Sequence, residues 1–106
     1  MSLPLAGLKV LAFEQYGAGP FGSQYLSDLG AEVIKIEPAG TDGDYLRALG
    51  PYFIDEERNS ASSIFFQALN RNKKSITLNI ISDEGKEILG KLVKTSDAVC
   101  NNLRGD

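Results

Sequence analysis

Gly17-Ala-Gly-Pro-Phe-Gly22 is a literal G-x-G-x-x-G, placed between the apolar run Leu8-Lys-Val-Leu-Ala-Phe13 and a stretch of helical periodicity. An apolar run, a glycine turn and a helix form the opening of a βαβ unit. Phe21, Tyr25, Leu26 and Leu29 recur at helical spacing and predict one apolar helix face. Gly30 follows directly, where helices commonly end in a left-handed residue. In the next run, Glu32-Val-Ile-Lys-Ile-Glu37, residues Val33, Ile34 and Ile36 are the β-rich type buried in parallel sheets. Residues 1–37 therefore read as a first βαβ unit.

The same glycines also match a dinucleotide fingerprint, with Glu37 standing twenty residues after Gly17 as the acid for a ribose. Two details weaken that match. Glu14-Gln15-Tyr16 lengthen the turn before Gly17, and Pro20 supplies no N–H to a pyrophosphate at the helix start. An NAD-binding dehydrogenase fragment using Gly17, Gly19, Gly22 and Glu37 stays as the alternative from a different class. A non-catalytic scaffold is a third.

A second βαβ unit is predicted over residues 75–106. Ser75-Ile-Thr-Leu-Asn-Ile-Ile81 reads as a strand, and Ser82 as an N-cap with Asp83 and Glu84 in the first helical turn. Ile88, Leu89, Leu92 and Val93 would form the buried stripe, and Asp97-Ala-Val-Cys-Asn101 a short strand. Two such units imply an α/β fold, a Rossmann-like open parallel sheet with right-handed crossovers. Between the units, residues 38–74 form a long loop region with a polar stretch, Asp55-Glu-Glu-Arg-Asn-Ser60, and a short helix expected within Ser63-Ile-Phe-Phe-Gln-Ala-Leu69. Four strands with open edges make a poor independent domain, so the expectation is the N-terminal portion of a longer chain.

Composition narrows the chemistry. The 106 residues carry a net charge of −3, which gives no nucleic-acid footprint. There is no histidine and one cysteine, Cys100, so the chain holds no Ser-His or Cys-His pair, internal disulfide or zinc-ligand set. No apolar run approaches membrane-span length and no secretory leader is visible, which leads to an expectation of a cytoplasmic protein without membrane contact.

Three stretches could hold a ligand. Asn70-Arg71-Asn72-Lys73-Lys74-Ser75 sets three cations beside two amides, a composition suited to phosphate oxygens. Tyr16-Gly17-Ala18-Gly19 leads into a helix N-terminus where small residues let a ligand approach the backbone. Asn101-Asn102-Leu103-Arg104-Gly105 follows the last strand. Ligands of open α/β sheets bind beyond the carboxyl ends of strands, so this loop and the Gly17 loop are expected to share a crevice.

Taken in order, Leu5-Ala-Gly-Leu-Lys-Val-Leu11, Ala18-Gly-Pro-Phe21 and Leu26-Ser-Asp-Leu-Gly-Ala-Glu-Val-Ile-Lys-Ile-Glu-Pro38 resemble the class III CoA-transferase family. Asn70-Arg-Asn-Lys-Lys-Ser-Ile-Thr-Leu-Asn79, Asp83-Glu-Gly-Lys86 and Ser96-Asp-Ala-Val-Cys-Asn-Asn102 continue the resemblance over essentially the whole chain. That family includes formyl-CoA transferase, carnitine-CoA transferase and α-methylacyl-CoA racemase.

The resemblance implies a fragment of a protein of roughly four hundred residues, forming an interlaced homodimer of ring-like chains. Its substrates would be an acyl-CoA and a small carboxylic acid, with no metal. CoA contacts carry over to Gly17 and Ala18, to Leu78, Asn79, Ile80 and Ile81 near the adenine, and to Asn102, Leu103 and Arg104. Some members use an arginine after the second strand for the nucleotide phosphate; here Pro38 stands there, and Arg71, Lys73 or Lys74 would substitute. Gly17 replaces a larger side chain that some transferases place near the active site, which leaves the substrate open. The family's transferases exchange CoA through an aspartate nucleophile and covalent intermediates. That aspartate would follow this segment, which is expected to be inactive alone. The α-methylacyl-CoA racemase branch is the alternative within the family; the long stretch from Gly50 to Phe66 favours the transferase branch.

Overall fold

The computed structural model describes residues 2–55 and 63–105. The chain runs β1 (Lys9–Phe13), α1 (Ala18–Asp28), β2 (Glu32–Pro38), a 3₁₀ turn (Tyr45–Ala48), α2 (Ile64–Asn70), β3 (Lys74–Leu78), α3 (Asp83–Lys94) and β4 (Ala98–Asn101). Its four strands form one parallel sheet in the order β3-β2-β1-β4. The α/β class and the open parallel sheet are those expected. Of the polar stretch Asp55–Ser60, residues 56–60 lie outside the described residues, as does the part of the Gly50–Phe66 stretch over residues 56–62.

Alternation along the two central strands makes two cores. Val10, Ala12 and Val33 point to one face, where Ala31, Leu26 of α1 and Cys100 of β4 join them. Leu11, Ile34 and Ile36 point to the other face, with Leu78, and Leu89 and Leu92 of α3 cover them. One helix therefore protects each side of the sheet, as a doubly wound parallel sheet requires.

The chain adds β2 and β3 outward from β1, then crosses back through α3 to place β4 on the free side of β1. Strand order reverses between β1 and β4. The reversal sets the loop after β4 beside the loop after β1, at the carboxyl ends where ligands of open α/β sheets bind.

Three helix and strand expectations need correction. In α1 only Leu26 of the predicted apolar face packs inward; Phe21, Tyr25 and Leu29 are exposed. Pro20, Ser23, Gln24 and Ser27 are buried instead, because this side of the helix serves hydrogen bonds. Ser23 donates to Glu14, while Gln24 and Ser27 donate to the Arg71 carbonyl that closes α2.

In α3, Leu89 and Leu92 reach the sheet, but Ile88 and Val93 are exposed. The side pressed closest to the strands is Gly85, where a Cβ would collide with the Asn79 carbonyl oxygen.

Finally, β3 stops at Leu78 rather than Ile81. The Asn79 side chain accepts from the Ile81 amide at 3.1 Å, and Ser82 Oγ donates to the Asn79 carbonyl at 3.0 Å, turning the chain into α3. Ser82 caps that helix as expected, accepting from the Gly85 amide.

Candidate ligand-binding site at the sheet switch point

Glu14, Gln15 and Tyr16 leave the end of β1, and each is held by a different part of the chain. Glu14 is fully buried; its carboxylate accepts from Ser23 Oγ and pairs with Lys73 Nζ, both at 2.8 Å. Gln15 is gripped through its backbone by Asn102, whose side-chain oxygen accepts from the Gln15 amide at 3.0 Å while its nitrogen donates to the Gln15 carbonyl at 2.9 Å. Tyr16 adopts φ 66°, uncommon for a residue with a side chain, and its amide donates to Asp44 at 3.2 Å. Its ring stacks on Tyr45 with centroids 5.5 Å apart.

Beneath this loop lies a charged network that the apolar strand pattern hides. Lys35 of β2 is 1% exposed and reaches Asp44 at 2.8 Å, with Glu14 Oε1 at 3.9 Å and the Glu14 carbonyl at 3.2 Å. Asp44 also caps the 3₁₀ turn by accepting from Leu46. Its Oδ2 makes no geometrically ideal hydrogen bond, but the 2.8 Å ammonium contact compensates its charge. Lys73 is covered likewise, donating to the Pro20 carbonyl and to Asn70 besides Glu14. Burial pushes its ammonium below the ordinary lysine range, against the pull of Glu14.

Glu37 is the third buried acid. It receives both arms of Arg47, at 2.9 and 2.7 Å, together with Ser75 Oγ and the Asp44 amide. Burial alone would raise its pKa; these donors outweigh burial and hold it at about 2. All four donors belong to the protein, so Glu37 presents no carboxylate to a ribose.

The strand ends frame a cavity of about 150 Å³. Phe13, Glu14 and Gln15 form its β1 side, Ile36 to Ala39 its β2 side, Leu78 to Ile81 its β3 side, and Leu103 closes it from beyond β4. The lining is thus mostly apolar, with Glu14, Gln15, Glu37 and Asn79 as its polar residues.

Five of the sequence-predicted residues, Leu78, Asn79, Ile80, Ile81 and Leu103, thus come together in one cavity. Gly17 and Ala18 lie at the start of α1, outside its lining, and Asn102 and Arg104 flank Leu103. The three cations are not brought together. Arg71 pairs with Asp28 at 2.6 Å, Lys74 with Glu32 at 2.8 Å, and Lys73 lies in the interior. Arg71 and Lys74 hold their acidic partners below the ordinary carboxylate range.

Comparison with known proteins places this arrangement. The sequence model of CoA-transferase family III matches residues 5–106. The chain belongs to CoA-transferase family III. Among curated proteins it is 39% identical over 105 residues to succinate–glutarate CoA-transferase of Agrobacterium fabrum, covering 97% of this chain and 26% of that protein. Acetyl-CoA:oxalate CoA-transferase of Acetobacter aceti is 40% identical, with 95% and 24% covered. A solved structure of a CAIB/BAIF family protein from Brucella suis superposes with a TM-score of 0.84 at 44% identity, covering 97% of this chain and 26% of that one. The chain therefore spans about a quarter of the length of these relatives.

Sequence reading missed Glu14, Lys35 and Asp44 as a set. One signal was present: Lys35 interrupts Val33-Ile34-Lys35-Ile36, and a cation on an inward strand position requires buried acids nearby.

Proposed function

We propose that the intact protein is an acyl-CoA:carboxylate CoA-transferase and that this segment supplies part of its CoA-binding surface. The observation carrying the reading is the cavity at the strand ends, where Leu78–Ile81 meet Leu103. Ile36, Pro38, Leu78 and Ile80 would sandwich the adenine, with Asn79 offering its amide to the ring edge. Gly17 and Ala18, at the α1 N-terminus, would accept the chain running toward the thioester. Asn102 and Arg104 complete the β4 loop, with Arg104 as the phosphate contact. Arg71 and Lys74, both exposed, would add charge attraction at longer range, whereas Lys73 serves the fold.

This segment is proposed to bind and orient rather than to perform the covalent step. Glu14, Glu37 and Asp44 are buried and engaged with cations, so none is offered as the nucleophile. In the proposed reaction a carboxylate elsewhere in the protein attacks the thioester carbonyl and expels CoA as thiolate. The thiolate then attacks the resulting anhydride, releasing the donor acid and leaving CoA as an enzyme thioester. The incoming acid then attacks that thioester and expels the thiolate, which takes the acceptor's acyl group as the new acyl-CoA and frees the enzyme carboxylate. The working form is proposed to be an interlaced cytoplasmic homodimer.

Calorimetric titration of the full-length protein with CoA and with NAD tests the reading. CoA binding without an NAD response is expected, and NAD binding without a CoA response would sink it. Arg104→Ala should weaken CoA about tenfold, the loss of one charge-assisted hydrogen bond; unchanged affinity would remove Arg104 from the site.

A further inference from the structure

We propose that Asn102 is a positioning residue: its carboxamide clamps the Gln15 backbone and so fixes the loop that walls the CoA crevice. The inference rests on the CoA reading and specifies how one residue of that site acts. Asn102 makes a reciprocal pair with Gln15, accepting at 3.0 Å and donating at 2.9 Å, while its own amide donates to the Phe13 carbonyl at 3.2 Å. Both capacities of the carboxamide are thereby directed at protein backbone. The contact joins segments 87 residues apart, across the reversal between β1 and β4.

The surroundings are built to admit this side chain. A Cβ at Gly19 would lie 2.7 Å from Asn102 Cγ and 2.8 Å from Glu14 Cβ, so a side chain there would drive into the clamp. Gln15 itself lines the cavity, and Leu103, next to Asn102, lines it from the other side. The clamp therefore sets the spacing of two walls at once. It also precedes Tyr16, whose positive φ directs the chain into Gly17 and Ala18. Neighbouring Glu14 and Tyr16 are anchored by Lys73, Lys35 and Asp44; Asn102 is the anchor of the residue between them.

The test compares full-length wild-type protein with Asn102→Ala and Asn102→Asp. Asn102→Asp keeps the shape and the acceptor for the Gln15 amide but loses the donor to the Gln15 carbonyl. CoA affinity is measured by calorimetry, and protection of the Gln15 amide by hydrogen exchange without ligand. We expect Asn102→Ala to weaken CoA about tenfold and to lose Gln15 protection before any ligand is added. Asn102→Asp, which sets a carboxylate oxygen against the Gln15 carbonyl, should lose part of that protection and weaken CoA to a matching, smaller extent. Loss of affinity in Asn102→Ala with Gln15 still protected would make Asn102 a direct contact and overturn the positioning role. Lost protection with unchanged affinity would make the clamp purely structural and overturn it also. If Asn102→Ala fails to fold, the Asn102→Asp affinity decides, and a wild-type affinity there refutes the proposal. Absence of CoA binding by the wild type would instead refute the underlying CoA reading, and this role with it.

Discussion

Lys35 shows how a charge can be tolerated in a central strand. Its ammonium is removed from water and compensated by Asp44 at 2.8 Å and by the Glu14 carbonyl. Removing one partner of such a pair leaves the other buried and uncompensated, which costs about 3–5 kcal/mol. Lys35→Met should therefore lower the denaturant midpoint of the intact protein by that equivalent, at unchanged slope. Adding Asp44→Asn should recover part of the loss, because the stranded charge is gone. Glu37 makes a pH prediction. Its carboxyl is held at about 2 against an ordinary 4.5, so the folded state binds this proton less readily than the unfolded chain. The resulting stabilisation is complete above pH 4.5 and is lost as pH falls toward 2. Glu37→Gln should flatten that acid limb in an unfolding series and leave the slope near neutrality unchanged.

At the scale of elements, what could be read from sequence depended on whether apolar burial decided the packing. It decided β1 and β2, whose runs of Val, Leu and Ile are buried in two alternating cores. It did not decide α1. There the inward side includes Ser23, Gln24 and Ser27, fixed by hydrogen bonds to Glu14 just ahead of the helix and to Arg71 more than forty residues away. A periodicity count cannot see such partners. The Leu78–Ile81 stretch lines the cavity, but its turn after Leu78 was not legible, because the Asn79 turn overrides a β-rich composition. Gly85 gives the test of that turn. A methyl at this position would collide with the Asn79 carbonyl, so Gly85→Ala must push the start of α3 away from the strand end. It should destabilise by about 1–3 kcal/mol despite alanine's better helix propensity, as overpacking does. A control Gly90→Ala, where nothing lies within 4 Å, should leave stability unchanged or raise it by up to about 1 kcal/mol. Thermal denaturation of the two variants separates the effects.

On the scale of the whole molecule, strand order carries the functional argument. The glycine loop was a sound indicator of a βαβ start and a poor indicator of ligand, since Glu37 is bound by Arg47, Ser75 and the Asp44 amide. The β3-β2-β1-β4 order sets the loop after β4 beside the loop after β1, while Gly17 and Ala18 stay outside the cavity lining. Lys35 within an apolar strand signalled that buried acids lie nearby, but which acids they are, Glu14 and Asp44, depends on tertiary placement that no local pattern encodes.

The clamp between Asn102 and Gln15 also has a meaning for the order of events in folding. Helices and neighbouring strands close short loops, whereas this contact must close one of 87 residues and waits on the docking of β4. The β1, β2 and β3 walls of the cavity need no such long closure, so Leu103 completes a crevice whose other sides form without it.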